Sequence, residues 1–172
     1  CASRRSTWSS VRADAFTPRR LHPGAMNQRP YGVYVHIPFC RSKCDYCAFA
    51  TWTDRHHLAD AYVDALVADV ERAVASGMPV ATSIFVGGGT PSMLPPTDLA
   101  RVLGAIPTVA GAEVTVECNP TSLDRDRAAS LRDRGVTRVS LGVQSLRDRH
   151  LRYLGRLHDA DGACSGCSAG LV

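Results

Sequence analysis

Three thiols stand at C-x₃-C-x₂-C spacing in Cys40-Arg-Ser-Lys-Cys44-Asp-Tyr-Cys47, directly after Ile37-Pro38-Phe39. One short loop with this spacing can wrap three thiolates around a metal group. Iron–sulfur clusters are held by cysteine thiolates, usually four. Three ligands from one loop would leave one iron open to a small molecule, as catalytic metal centres leave a position open. Structural zinc is the competing reading and asks for a fourth Cys or His. His36, His56 and His57 are nearby but sit at offsets that suit no zinc motif. Free cysteines are the plainest alternative.

Further along stand Gly87-Gly88-Gly89-Thr90-Pro91, Glu117-Cys118-Asn119-Pro120, Gln144 and Arg156. Glycines without side chains let backbone N–H groups approach a ligand and adopt unusual dihedrals. Taken singly, each has an ordinary explanation: a tight turn, a solvated strand end, an exposed charge at a helix end. His150 and His158 have no partner at a useful spacing. Cys164-Ser-Gly-Cys167 is a second cysteine pair, read as incidental in a run of small residues.

The elements around these residues give them a common address. Short β-branched runs at 31–37, 82–86, 113–117 and 137–142 read as strands. Leu58, Tyr62, Leu66, Val70 and Val74 recur every four residues and predict an amphipathic helix, with Asp54 as its N-cap and Gly77 beyond its end. Shorter helices are expected over 98–106, 124–134 (Ser122 or Asp124 capping, Gly135 closing) and 146–154. The order βαβαβαβα implies an α/β fold with a parallel sheet and right-handed crossovers. Each polar motif follows the C-terminal end of a strand, and in parallel barrels the loops at that end form the active site.

Composition narrows the classes. The chain has 172 residues, 45% hydrophobic, which is enough for one domain with its own core. Its net charge of +4 belongs to residues 1–30, which hold six arginines against one aspartate; the remainder carries 14 basic and 15 acidic groups. A near-neutral body without a basic stripe argues against nucleic-acid binding. No run of about 18 apolar residues suggests a membrane span, and no secretion signal is visible. A cytoplasmic location is expected, where thiols stay reduced and clustered cysteines serve metals or catalysis. Residues 1–29, rich in Ser, Arg and Pro, read as a disordered leader or as an extension upstream of Met26.

From about Tyr31 to Asp159 the chain resembles the radical S-adenosylmethionine (SAM) core of the oxygen-independent coproporphyrinogen III oxidase family. YVHIPFC, the cysteine triad, GGGTP, ECNP and RVSLGVQS stand in that family's order. The resemblance implies a partial (β/α) barrel, here its first four βα units. It implies that Cys40, Cys44 and Cys47 bind a [4Fe–4S] cluster. Tyr34, Tyr46, Gly88, Gly89, Thr90, Glu117, Gln144 and Arg156 are then expected around SAM. The implied chemistry is cleavage of SAM by an electron from the reduced cluster, giving methionine and a 5′-deoxyadenosyl radical. An electron donor such as flavodoxin or ferredoxin is implied as a partner.

The family's oxidases resemble one another in carrying a further Cys two residues after the triad, where this chain has Phe49. That departure favours the HemW-like heme-chaperone branch, with heme as ligand and heme-acceptor proteins as partners. The alternative is the oxidase, which would decarboxylate porphyrinogen propionates. Residues 160–172 depart from the family's continuation and are expected to be an irregular tail out of its register, as after a frameshift or at a fragment end. An inactive fragment is the third reading.

Overall fold

The computed structural model describes residues 29–170, so the expected leader, apart from Arg29, lies outside the described residues. Four parallel strands form one sheet in sequence order: β1 (Gly32–Ile37), β2 (Ala81–Gly88), β3 (Thr108–Cys118) and β4 (Arg138–Leu141). Helices α1 (Ala59–Ala75), α2 (Pro96–Ala105) and α3 (Arg125–Arg132) return the chain between them, and α4 (Asp148–Tyr153) and α5 (Ala160–Ala169) follow. The architecture is the α/β arrangement with parallel strands that the strand–helix alternation implies.

The register separates the two faces of the sheet. Val35, Val86, Val116 and Val139 are partners across all four strands, and the first three are almost fully buried. This apolar row packs with Val63 of α1, Leu99 and Val102 of α2 and Leu131 of α3 in one core. Burying each such side chain contributes about 1.5–3 kcal/mol. On the other face the register aligns Tyr34, Phe85, Thr115 and Arg138. Nearer the strands' C-terminal ends it aligns His36 with Gly87 and Glu117 with Ser140. Polar side chains gather there because period-two alternation puts them opposite the valine row.

Several boundaries differ from expectation. Asp54 does not cap α1: a 3₁₀ turn over His56–Leu58 precedes the helix, and Leu58 takes the N-cap position without a side-chain bond. The backbone bond from Leu58 N–H to the Arg55 carbonyl shapes this entry in place of a capping carboxylate. Helix α2 starts at Pro96, whose fixed φ suits a first turn. Strand β3 begins five residues before the expected Glu113, across a register irregularity at its start. Helix α4 is shorter than expected at both ends.

The expected irregular tail is corrected: residues 160–169 are helical. Asp159 caps α5 by accepting from Gly162 N–H at 2.7 Å. Ala163, Gly166 and Ala169, three apart, form its buried stripe, and a Cβ on Gly166 would lie 3.0 Å from Pro120 Cα. Small residues hide the helical period from a hydrophobicity reading while allowing this close approach.

Asp124 caps α3 as expected, accepting from Arg127 N–H at 2.7 Å. Asp124→Ala should lower the unfolding free energy by about 1 kcal/mol in urea denaturation; an unchanged midpoint would mean that the cap contributes nothing.

Candidate functional site

The cysteine loop leaves β1 through Phe39, which is buried against the edge of Tyr62 with ring centroids 5.5 Å apart. Backbone bonds from Trp52 N–H to the Pro38 carbonyl (2.7 Å) and from Cys40 N–H to the Trp52 carbonyl (2.9 Å) pin both ends of the loop together. Between these anchors Cys47 N–H closes a turn onto the Cys44 carbonyl at 3.0 Å. All three cysteines are free and partly exposed.

Strand β2 runs into the glycines beside this loop. Gly89 N–H donates to the Ile37 carbonyl and Thr90 N–H to the Phe39 carbonyl, both at 2.7 Å. Gly88 has φ +109°, and its N–H donates to Glu117 Oε2 at 3.2 Å. That bond orients the carboxylate that β3 delivers to the same rim.

A cavity of about 310 Å³ opens at the C-terminal ends of the strands. Its wall contains Cys40, Cys44, Cys47, Tyr46, Gly88, Gly89, Thr90, Glu117, Gln144 and Arg156. The structure therefore brings together every candidate residue except Tyr34. Tyr34 lies one row further from the rim, more than half exposed and stacked on Phe85. His36 stands between: its Nε2–H donates to the Ala50 carbonyl (2.9 Å), leaving Nδ1 to accept from the Tyr34 hydroxyl (3.0 Å).

The Arg156 guanidinium makes four hydrogen bonds in the wall. Nη1 donates to Cys44 Sγ at 3.2 Å and to the Tyr46 hydroxyl at 3.4 Å; Nη2 donates to the Gly142 carbonyl at 2.7 Å and to Asn119 Oδ1. Its Nε is buried without a partner in the protein. Gln144 holds a left-handed φ of +64°, a strained conformation for a residue with a side chain. The backbone around it is pinned by Arg156 on the Gly142 carbonyl and by His158 Nε2–H on the Val143 carbonyl at 2.9 Å. His158, assigned no role from its spacing, is thus a buried strut of the cavity wall.

Burial pushes up the Cys40 thiol, opposed by the Thr90 hydroxyl that donates to its sulfur at 3.7 Å. Burial pushes Cys118 up further, to about 11. Burial also raises Tyr46, with Arg156 working against it, and raises Tyr34 together with the Glu117 charge.

Sequence reasoning missed three residues here. Asn119 was visible in its motif, but its partners come from the turn after β2 and from beyond α4. His158 is 15 residues from the carbonyl it holds. Arg127, whose guanidinium donates to the Ser92 and Leu94 carbonyls, braces the turn after the glycines from α3. No periodic signal marks such long-range polar contacts.

A parallel α/β sheet with a C-x₃-C-x₂-C loop after its first strand and a cavity across the strand ends defines a radical SAM protein. The chain belongs to the Radical SAM superfamily, which matches residues 34–168, and the superfamily generally uses a [4Fe–4S] cluster and SAM. Within it, the chain is similar to the heme chaperone HemW of Escherichia coli (strain K12), 41% identical over 136 residues, covering 75% of this chain and 36% of that protein. Heme chaperone HemW of Mycobacterium tuberculosis (strain ATCC 25618 / H37Rv) is 38% identical over 155 residues, covering 86% and 40%. Among solved structures, coproporphyrinogen III oxidase (HemN) from Escherichia coli, described as a radical SAM enzyme, aligns with a TM-score of 0.74 and 30% identity, over 83% of this chain and 34% of that one. The chain spans about two fifths or less of the length of these relatives.

The residues present fit the cofactors of the superfamily. Among the described residues no three His, Cys, Asp or Glu side chains are grouped to hold a single metal ion. Cys40, Cys44 and Cys47 share one cavity wall. The buried Arg156 Nε–H lacks a partner in the protein and suits an anionic ligand group.

Proposed function

We propose that Cys40, Cys44 and Cys47 hold a [4Fe–4S] cluster and that SAM occupies the adjoining cavity. The observation that carries this reading is the convergence of the cysteine loop, Gly88, Gly89, Glu117, Gln144 and Arg156, from four strand ends, on one cavity wall. When bound, the cluster supplies the electron for reductive cleavage of SAM, and the protein's part is to orient and shield it. Gly88 and Gly89 let the end of β2 lie against His36 and the β1 backbone, which keeps this part of the cavity wall beside the cysteine loop. Glu117, held by Gly88 N–H, offers its remaining acceptor capacity to hydroxyls. Arg156 supplies positive charge beside Cys44.

We further propose a HemW-like role in heme trafficking. It is supported by the HemW relatives and by Phe49, which is 63% exposed on the cavity wall where the family's oxidases resemble one another in carrying a cysteine. An apolar ring at the mouth suits a flat macrocycle better than a further metal ligand would. The alternative, oxidative decarboxylation of coproporphyrinogen III, has the HemN likeness in its favour.

The test is anaerobic reconstitution with iron and sulfide, followed by EPR of the reduced chain with and without SAM. A [4Fe–4S]⁺ signal that changes on adding SAM is expected; absence of any cluster would overturn the cofactor reading. Heme titration with no turnover of coproporphyrinogen III is expected for the trafficking role, and carbon dioxide release would transfer the assignment to the oxidase.

A further inference from the structure

We infer that Asn119 is a positioning residue that sets the hydrogen bonds received by two of the three loop cysteines; the inference rests on the cluster reading above. Its carboxamide is the central link of a side-chain chain running from one sulfur to another. Arg156 can only donate, so the Asn119 oxygen faces it, and Arg156 Nη1 goes on to Cys44 Sγ at 3.2 Å. The Asn119 amide nitrogen is then directed at Thr90 Oγ1, to which it donates at 2.9 Å. With that oxygen occupied as an acceptor, the Thr90 hydroxyl proton points to Cys40 Sγ at 3.7 Å. Cys47 receives no arm of this chain.

The placement is rigid. Asn119 follows β3 directly in extended backbone with φ −98° and ψ 149°, Pro120 follows, and Asn119 N–H donates to Ser122 Oγ at 3.2 Å. Thr90 is buried, 3% exposed, and its hydroxyl is engaged by Asn119 and the Cys40 sulfur. The position also demands this side chain. Aspartate would accept from Arg156 but could not donate to Thr90, serine would be too short to span both partners, and leucine of similar shape would do neither.

Hydrogen bonds donated to cluster sulfurs favour the reduced, more negative state and raise the reduction potential. Asn119 touches no sulfur itself and acts by holding the two donors in line. Asn119→Leu should therefore shift the midpoint potential of the cluster to more negative values and weaken SAM binding, with cluster content unchanged. Thr90→Val, which removes the Cys40 arm alone, should give a smaller shift in the same direction. Added to Asn119→Leu it should shift the potential by less than it does alone, because residues acting through one network are not additive.

The experiment is an EPR-monitored redox titration of the reconstituted full chain and these variants, with SAM affinity measured on the same samples. A wild-type potential and SAM affinity in cluster-loaded Asn119→Leu would overturn the proposal, as would full additivity with Thr90→Val. Should Asn119→Leu fail to fold, Asn119→Ser decides by the same shift. A parallel arm follows alkylation of Cys40, Cys44 and Cys47 in the cluster-free chain by peptide mass spectrometry. Asn119→Leu should change the rates at Cys40 and Cys44 relative to Cys47, and unchanged ratios would overturn the inference. If the wild-type chain takes up no cluster, the cofactor reading fails by itself, while the alkylation ratios still decide whether Asn119 governs the two thiols.

Discussion

Gly89→Ala is expected to cost about 3 kcal/mol of stability, or to abolish folding, whereas Gly104→Ala should stabilise the chain by about 0.5–1 kcal/mol. A Cβ on Gly89 would lie 2.5 Å from the Phe39 carbonyl oxygen and 2.9 Å from that of Ile37. Both obstacles are backbone, so no rotamer change relieves them. The strand end would have to move by nearly an ångström, and that movement would break the bonds from Gly89 N–H to Ile37 and from Thr90 N–H to Phe39. Cys40 is the next residue after Phe39, so the same displacement enters the cysteine loop. Gly104, in the last turn of α2, meets nothing within 4 Å and has no positive φ, so alanine there only reduces the conformational freedom of the unfolded chain. Denaturant midpoints of the two variants against wild type decide this. A Gly89→Ala chain as stable as the parent would mean that the glycine turn is not pressed against β1 as described.

The same contact shows what the sequence could reveal. Strand alternation and turn residues locate the motifs at strand ends, and a parallel sheet then sends them to one side; ten of the eleven candidate residues line one cavity for that reason. Tyr34 is the exception because residues two apart in a strand share a face but not a height. His36 is nearer the rim by two residues and takes the space above Gly88, where a Cβ would come within 2.5 Å of its ring. The reading of α5 failed on the opposite ground: Ala163, Gly166 and Ala169 carry too little hydrophobic signal to show a period, yet their smallness is what lets the helix lie against Pro120. Asn119, Arg127 and His158 stayed out of reach because each works through partners 15 or more residues away that only the fold assembles.

Cys44→Ala should leave the chain unable to hold the cluster, while Cys118→Ala should retain it. Four cysteines line the cavity, and spacing alone singles out Cys40, Cys44 and Cys47. Burial adds a separate argument against Cys118. A metal ligand must be a thiolate, and burial holds the Cys118 thiol at about 11, so its ionisation at neutral pH costs several kcal/mol, at about 1.4 kcal/mol per tenfold. Its sulfur faces the Val116 carbonyl at 3.9 Å, an acceptor that favours the protonated thiol. Cys44 is partly exposed on the loop, and the Arg156 guanidinium donates to its sulfur at 3.2 Å. Losing it leaves two loop ligands and an unpaired positive charge at the wall, and Cys118 cannot substitute without being pulled from the core. Iron and sulfide content per chain, with the EPR signal of the reduced samples, measures both variants. Loss of the cluster in Cys118→Ala with folding intact would show that a fourth thiolate binds and that the open iron position, on which the SAM reading depends, is closed.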